Sequence, residues 1–160
     1  FDISTAGINL ATQLNSEAFF CIADLANLPF NRAQFTTILD LFSPSAYSEF
    51  HRVLRPGGQV LKIVPNANYL GELRQLLYDK SSQHAVYQND QVVDLFEKHF
   101  PNAQSKRLTY TFEFDADLLS DLIQMTPLHW GATPETIKKA KNSKLDHITV
   151  DVTLLKGVTA

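Results

Sequence analysis

The chain has few residues of the kinds that build covalent or metal-held scaffolds. Cys21 is the only cysteine among 160 residues, which excludes an internal disulfide and a cysteine-based metal cluster. This cysteine usage fits a reducing, cytoplasmic setting. We expect no signal peptide, and the sequence holds no apolar run of the roughly 18 residues that a transmembrane helix needs. The formal net charge of −3 counts against a broad basic surface for nucleic acid.

The composition is otherwise that of a globular domain with a core. Hydrophobic residues make up 44% and charged residues 19% of the chain, which are ordinary values for a soluble protein. Two basic clusters run against the acidic balance, and both are typical of a solvated helix face or strand end. If RNA binds, a small patch or a further part of the protein must supply the positive charge. The clusters are Lys106-Arg107 and, in one short stretch, Lys138, Lys139, Lys141 and Lys144.

Hydrophobic periodicity predicts alternating strands and helices along the chain. Short apolar runs, of the type buried on both faces of a sheet, lie at 18–23 and 35–42. A further strand at 59–64 follows an Arg-Pro-Gly-Gly turn and ends at Pro65. Ser4 is placed to cap the first helix, and a polar break is predicted at 81–83. The predicted helices are 5–14, 45–54, 70–78, 91–99, 118–125 and 134–141.

Two segments with strict alternation, 105–114 and 146–155, predict long strands near the end of the chain. Together with the earlier pattern they favour an α/β class: a doubly wound, mostly parallel sheet with an antiparallel edge. No repeat, linker or low-complexity tract divides residues 1–160, so we expect one domain.

Polar side chains follow three of the predicted strands, at the edge where doubly wound sheets bind ligands. Asp2 suits the hydroxyl groups of a ribose, and Asp24 suits the exocyclic amine of adenine. Each aspartate is equally typical of a turn or a helix cap. The third loop carries Phe42-Ser43-Pro44.

The order of these pieces resembles the class I S-adenosylmethionine-dependent methyltransferases. The matching segments are IADLANLPF at 22–30, FTTILDLFSP at 35–44 and EFHRVLRPGGQVL at 49–61. The resemblance implies a Rossmann-like sheet and S-adenosylmethionine as cofactor. It implies cofactor contacts from Asp2, Ile3, Asp24, Leu25 and Phe42.

A closer resemblance is to the bacterial 23S rRNA guanine-N1 methyltransferases, which include macrolide-resistance enzymes. It rests on VPNANYLGELRQLLYD at 64–79, His84-Ala85, LLSDLIQMTPLHWGATPE at 118–135 and the terminal LDHITVDVTLL. These motifs cover nearly the whole chain. They imply methylation of guanine N1 in a 23S rRNA hairpin, a step of rRNA processing in the cytoplasm without a membrane. Residues at about 115–143 would form an insert on the substrate side.

The resemblance also implies roles for further residues. Tyr69 takes the position of a cofactor-facing histidine, and a Tyr packed on the core is the alternative. Ser43 and Pro44 lie in a loop where the family tends to carry Tyr-Ala-Pro, and they would face the substrate. Trp130 would stack on a guanine in a pocket walled by Met125 and Pro127, or would close the core beneath the insert.

Guanine N1 carries a proton near neutral pH, so a base that accepts it would help methyl transfer. The candidates in this sequence are Asp40, His129 and Asp24. Asp40 lies within a predicted strand and is equally consistent with a buried, satisfied carboxylate. For His129 a structural role is the preferred alternative.

Two parts of the family pattern lie outside this sequence: an amino-terminal zinc-binding module, and the first strand with its glycine-rich cofactor loop. We therefore expect a fragment of a longer polypeptide that is inactive alone and binds cofactor poorly, unless another chain supplies the strand. Zinc is expected only in that module. A class I methyltransferase acting on a small molecule, with the insert as a lid, and a non-catalytic remnant are the alternatives, and a homodimer stays open.

Overall fold

A computed structural model describes residues 1–14, 16–79 and 87–160. The predicted break at 81–83 and the motif residues His84-Ala85 lie outside the described residues. A four-stranded sheet with helices on both faces organises the described part of the chain, which holds no helix long and apolar enough to cross a membrane.

The strands are β1 (Phe35–Leu41), β2 (Leu54–Pro65), β3 (Gln104–Glu113) and β4 (His147–Val158), and their order in the sheet is β1-β2-β4-β3. β1 and β2 pair in parallel, whereas β4 pairs antiparallel with both β2 and β3. The predicted α/β class and its antiparallel edge are confirmed. The edge consists of the two long alternating segments near the end of the chain.

The helices are α1 (Thr5–Ala11), α2 (Tyr47–Val53), α3 (Gly71–Leu77), α4 (Asp90–His99), α5 (Leu119–Met125) and α6 (Pro134–Lys141). Short 3₁₀ turns cover Ala116–Leu118 and Pro127–Gly131. Ser4 caps α1 as predicted, because its hydroxyl accepts a 3.0 Å hydrogen bond from the Gly7 amide. α1 is shorter than predicted: it ends at Ala11, and Leu14 is exposed beyond it.

The predicted strand at 18–23 is wrong. Asp2 and Ile22 form a single isolated parallel bridge there, and the side chain of Phe19 is 83% exposed. A strand needs a ladder of successive partners, and in the described residues Asp2 alone supplies backbone hydrogen bonds to this segment. Apolar character was therefore insufficient to make residues 18–23 a strand.

Two large core clusters of the described residues lie on opposite faces of the sheet, and a smaller one of Ala23, Leu28 and Val53 adjoins the first. The first joins α2 and α4 to β2 and β4 and includes Phe50, Val60, Val64, Phe96, Phe100 and Leu155. The second joins α3, α5 and α6 to β4 and includes Leu73, Leu77, Leu119, Ile123, Ala140 and Ile148. β1 is buried on one face only, since Leu39 and Leu41 are exposed, so the prediction of burial on both faces was wrong.

The junction between α2 and β2 has no connecting loop. Val53 is the last helical residue and Leu54 is the first residue of the strand. The predicted turn at 55–58 is instead a bulge inside β2, because Phe35 pairs with Leu54 whereas Thr37 pairs with Gln59. Gly57 has φ +72°, and a Cβ on Gly58 would lie 2.8 Å from the Arg55 carbonyl oxygen.

Candidate functional site

The bridge between Asp2 and Ile22 brings the first two predicted ligand loops together. The Asp2 amide donates to the Cys21 carbonyl at 3.3 Å, and the Ala23 amide donates to the Asp2 carbonyl at 3.1 Å. Asp24 therefore follows a residue that is hydrogen-bonded to Asp2. This backbone pairing positions two exposed carboxylates at one edge of the fold.

Each of these carboxylates also stabilises its own turn. Oδ1 of Asp2 accepts from the Ser4 amide at 2.8 Å, and Oδ1 of Asp24 accepts from the Ala26 amide at 2.9 Å. Within the described residues the other oxygen of each aspartate has no protein partner, so each can accept a hydrogen bond from a ligand. Ile3 is exposed beside them, whereas Leu25 is half-buried against the core.

Phe42, directly after β1, has a strained backbone. Its φ is +57°, a left-handed conformation that costs a bulky residue about 1–3 kcal/mol. Its amide donates to the Ile63 carbonyl at 3.2 Å, and its ring stacks on Tyr69 with 5.3 Å between centroids. Leu70, next to Tyr69, is left-handed as well, with φ +55°. Two of the three left-handed non-glycine residues in the described chain therefore lie where the loops after β1 and β2 meet, and the third, Ala33, precedes β1.

Tyr69 combines the two roles that the sequence left open. It packs against the α3, α5 and α6 core, and burial raises the pKa of its phenol. Its ring also faces Phe42, and Arg74 Nε donates to its carbonyl oxygen at 3.2 Å. The side chain is thus held in place by the core while it contributes to the loop surface.

Asp40 is a buried carboxylate in an ion pair. Its Oδ2 lies 2.8 Å from Lys62 Nζ, and both side chains are 2% exposed. Its oxygens also accept from the hydroxyls of Ser43 at 2.5 Å and Ser45 at 3.2 Å. Since its oxygens are occupied and screened from solvent, Asp40 is poorly placed to take a proton from a substrate. Ser43 and Pro44 are exposed above this pair.

A second polar network fixes the start of the loop after β2. Asp151, on β4, is fully buried and accepts from Arg107 Nε and Nη2, from the Thr109 hydroxyl and from the Asn66 side-chain amide. The Arg107 hydrogen bonds, with those of Asn66 and Thr109, hold the pKa of Asp151 well below its usual range. Asn89, the residue before α4, donates to Asn66 Oδ1 at 2.8 Å.

Lys62 and Asp151 were not predicted from the sequence as residues of the site. Each sits in an apolar alternating run, and the only available signal was charge: Lys62 in VLKIV and Asp40 in ILDLF are opposite charges in neighbouring strands. Arg107 was noted only as half of a basic dipeptide.

The insert residues form a separate exposed surface. Trp130 is 79% exposed and Met125 is 77% exposed, and Pro127 lies between them on the chain, also exposed. Trp130 therefore does not close the core. The segment is held from behind, where the Tyr78 hydroxyl donates to the Leu128 carbonyl.

His129 lies edge-on to Trp130, with 5.4 Å between ring centroids. Its Nδ1 is 2.8 Å from the Thr126 carbonyl oxygen. A carbonyl only accepts, so Nδ1 carries the hydrogen, and in the neutral ring Nε2 is left with a free lone pair. The ring is thus positioned by its own backbone and can accept a proton at Nε2.

Solved structures share this fold. YcgJ of Bacillus subtilis superposes with a TM-score of 0.61 at 14% identity, over 98% of this chain and 80% of that one. BH2331 of Bacillus halodurans C-125, described as a methyltransferase, has a TM-score of 0.56 at 18% identity, over 99% and 80%. The Rossmann-like fold class expected from the sequence is confirmed.

Sequence relatives are more specific. YxjB of Bacillus subtilis (strain 168), named as a 23S rRNA (guanine-N(1)-)-methyltransferase, is 38% identical over 157 residues, 98% of this chain. The chain is thus homologous to the 23S rRNA guanine-N1 methyltransferases. The 23S rRNA (guanine(748)-N(1))-methyltransferase of Streptomyces fradiae is 26% identical over 95% of the chain. The chain spans 55% of the length of each of these two relatives. No family model matches.

Proposed function

We propose that this chain forms part of an S-adenosylmethionine-dependent methyltransferase that modifies N1 of a guanine in 23S rRNA. The observation that carries the proposal is the 38% identity to YxjB across 98% of the chain, the insert included. The strained, stacked loops at the edge of the sheet are consistent with a site that holds a ligand.

The first two loops fit the nucleoside half of the cofactor. The open oxygen of Asp2 would accept from the ribose hydroxyls, and that of Asp24 would accept from the adenine amine. Ile3 and Leu25 would supply apolar contact beside them. Phe42 and Tyr69 would border the reacting end, and the bound cofactor supplies an electrophilic methyl group.

The insert would bind the target base. Trp130 offers an exposed ring, and stacking of a base on such a ring contributes about 1–3 kcal/mol. Met125 and Pro127 would wall the same surface, and Ser43 and Pro44 would meet the base from the loop after β1. An unpaired guanine has a π face that can stack on this ring.

Positive charge on the last helix of the insert, and directly after it, would contact the RNA backbone. Lys138, Lys139 and Lys141 are exposed on α6, and Lys144 follows it. In the part of the chain that the structure describes, no carboxylate lies within ion-pair distance of these four lysines. Their charges are therefore available to phosphates despite the net charge of −3.

His129 is our candidate for the group that accepts the guanine N1 proton. Its Nε2 is unprotonated in the neutral ring, and it adjoins the proposed stacking residue. Asp24 is the second candidate. Asp40 is not a candidate, because its oxygens accept hydrogen bonds from Ser43 and Ser45 in the loop beside it.

Methyl transfer to a small molecule, with the insert as a lid, is the competing function, favoured by the net charge of −3. Calorimetry with S-adenosylhomocysteine, on the full-length protein and on this 160-residue chain, tests the cofactor. Methyl transfer to a 23S rRNA hairpin and to a small-molecule panel then separates the two functions. We expect S-adenosylhomocysteine to bind, and we expect methylation of the RNA hairpin but of no small molecule. A reverse-transcription stop at N1-methylguanine locates the modified base. Binding by neither protein would overturn the methyltransferase proposal.

A further inference from the structure

The buried ion pair between Asp40 and Lys62 occupies an unusual position for charge. The two residues face each other in register on the parallel strands β1 and β2, and both side chains are 2% exposed. Removing two charges from water is unfavourable, and well-packed apolar residues of similar size often serve stability equally well or better. Fold stability alone therefore gives little reason for a charged pair at this position.

The polar atoms of the pair converge on two of the three residues after Phe42, Ser43 and Ser45. Lys62 Nζ donates to the Ser43 carbonyl oxygen at 2.6 Å. Asp40 accepts from the Ser43 hydroxyl at 2.5 Å and from the Ser45 hydroxyl at 3.2 Å. The pair thus fixes both the backbone and the side chain of Ser43, and the side chain of Ser45, from beneath.

The loop held in this way contains a strained residue. Phe42 is left-handed at φ +57°, and its ring stacks on Tyr69. Such a conformation persists where the surroundings over-determine it. The hydrogen bonds from the pair to Ser43 and Ser45 restrain the residues directly after Phe42, on the carboxyl side of the strained bond.

We propose that Asp40 and Lys62 are positioning residues, which hold residues 42–45 in the one conformation that contacts the methyl end of the cofactor and the incoming base. The inference rests on the proposed function and deepens it. It gives Asp40 a role other than proton acceptor, and it gives a role to Lys62. The pair acts on the reaction through Phe42 and Ser43.

The test is an uncharged double variant of the full-length protein, Asp40→Leu with Lys62→Met. Apolar packing keeps the fold, so the urea midpoint should stay near the wild-type value. Amide hydrogen exchange at Phe42, whose amide donates to the Ile63 carbonyl oxygen at 3.2 Å, should accelerate at least tenfold. The kcat should fall at least tenfold, with KM for the RNA changed less than threefold. Ser43→Ala, which removes one hydroxyl and leaves the pair, should produce a smaller change in the same direction. Ser48→Ala, an exposed serine on α2, is the matched control.

A double variant that folds, exchanges as slowly as wild type and methylates at the wild-type rate would overturn the inference. If the double variant does not fold, Ser43→Ala provides the test. Unchanged exchange and unchanged kcat in Ser43→Ala would then overturn the inference. Wild-type protein that neither binds S-adenosylhomocysteine nor methylates RNA would defeat the proposed function instead. The exchange measurement would still show whether the pair holds the loop.

Discussion

The rings of Phe42 and Tyr69 lie one over the other, with centroids 5.3 Å apart and planes inclined by 29°. They come from different loops, one after β1 and one after β2, and each ring belongs to or adjoins a left-handed residue. The two loops therefore share one surface. A ligand that contacts either ring therefore binds to a surface formed by the loops after both strands.

Replacing Asp2 by Asn tests the cofactor contact without disturbing the turn. An Asn side-chain oxygen can still accept from the Ser4 amide, whereas the second acceptor is lost to an NH₂ group. A hydrogen bond to a charged group contributes about 1.5–3 kcal/mol, so S-adenosylhomocysteine should bind roughly tenfold or more weakly by calorimetry. Asp94→Asn, an exposed change on α4, should leave the affinity unaltered. Equal affinities for the two variants would remove Asp2 from the site.

Replacing Trp130 by Ala should weaken RNA binding without loss of stability. The side chain is 79% exposed, so little core packing is lost, whereas stacking contributes about 1–3 kcal/mol per base. The Kd for the hairpin should rise about fivefold or more, measured by fluorescence anisotropy, and Trp130→Phe should recover part of the loss. Leu10→Ala, also at an exposed apolar position, controls for surface changes. A lowered melting temperature for Trp130→Ala would contradict the exposed position.

The lysines of α6 should set the salt dependence of RNA binding. Changing Lys138, Lys139, Lys141 and Lys144 to Gln removes four charges, and each contact to a duplex phosphate contributes about 0.9 to the slope of log K against log salt. The slope should become shallower by about 2–4. Lys98→Gln, an exposed lysine on α4, should change the slope by less than one. An unchanged slope in the fourfold variant would place the RNA elsewhere.

Asp151 should make the fold sensitive to acid. Hydrogen bonds from Arg107, Asn66 and Thr109 lower the pKa of Asp151 in the folded state, so its contribution is complete above the unfolded pKa of about 3.9. That contribution is lost as the pH falls below this value, because the unfolded chain binds the proton first. Urea unfolding from pH 7 to pH 2 should show a steeper loss for wild type than for Asp151→Asn. Asp117→Asn, on an exposed turn, should keep the wild-type slope.

Gly157 permits the close approach of β4 to α4. A Cβ built there would lie 2.3 Å from the Phe100 ring, so Gly157→Ala forces the ring to move within a packed core. We expect a loss of about 1–3 kcal/mol in the free energy of unfolding. The paired change is Gly71→Ala at the first residue of α3, where a Cβ meets no atom within 4 Å. That variant should be neutral or slightly stabilised, since alanine favours helix.

Sequence periodicity predicted the elements with a sustained apolar pattern. Apolar residues alternate with polar ones from Leu108 to Phe112 in β3 and from Ile148 to Leu154 in β4, and the bounds predicted for α4 and α6 lie within a residue of those observed. The failure at 18–23 has a different cause. Strand formation there depends on the number of residues in the neighbouring segment that can pair, and apolar composition carries no information on this.

The candidate site shows a similar division. Asp2, Asp24 and Phe42 could be proposed from loop position, because parallel strands bring their carboxyl ends to one edge. The pairing of Asp40 with Lys62 could not, since it depends on the register between β1 and β2, which the bulge at 55–58 sets. The exposure of Trp130 was likewise undecided, because core and surface tryptophans share the same sequence context.

The stretch of β2 from Gln59 to Ile63 pairs with β1 residue by residue and leaves no slack. One residue added between Gln59 and Lys62 would turn the Lys62 side chain from the inner face of the sheet to the outer face. Asp40 would then lie buried opposite an apolar neighbour. This stretch is therefore constrained by its length more than by its composition: insertions and deletions of a single residue within it are not permissible, whereas substitutions at exposed Arg55 and Pro56, in the bulge before it, are.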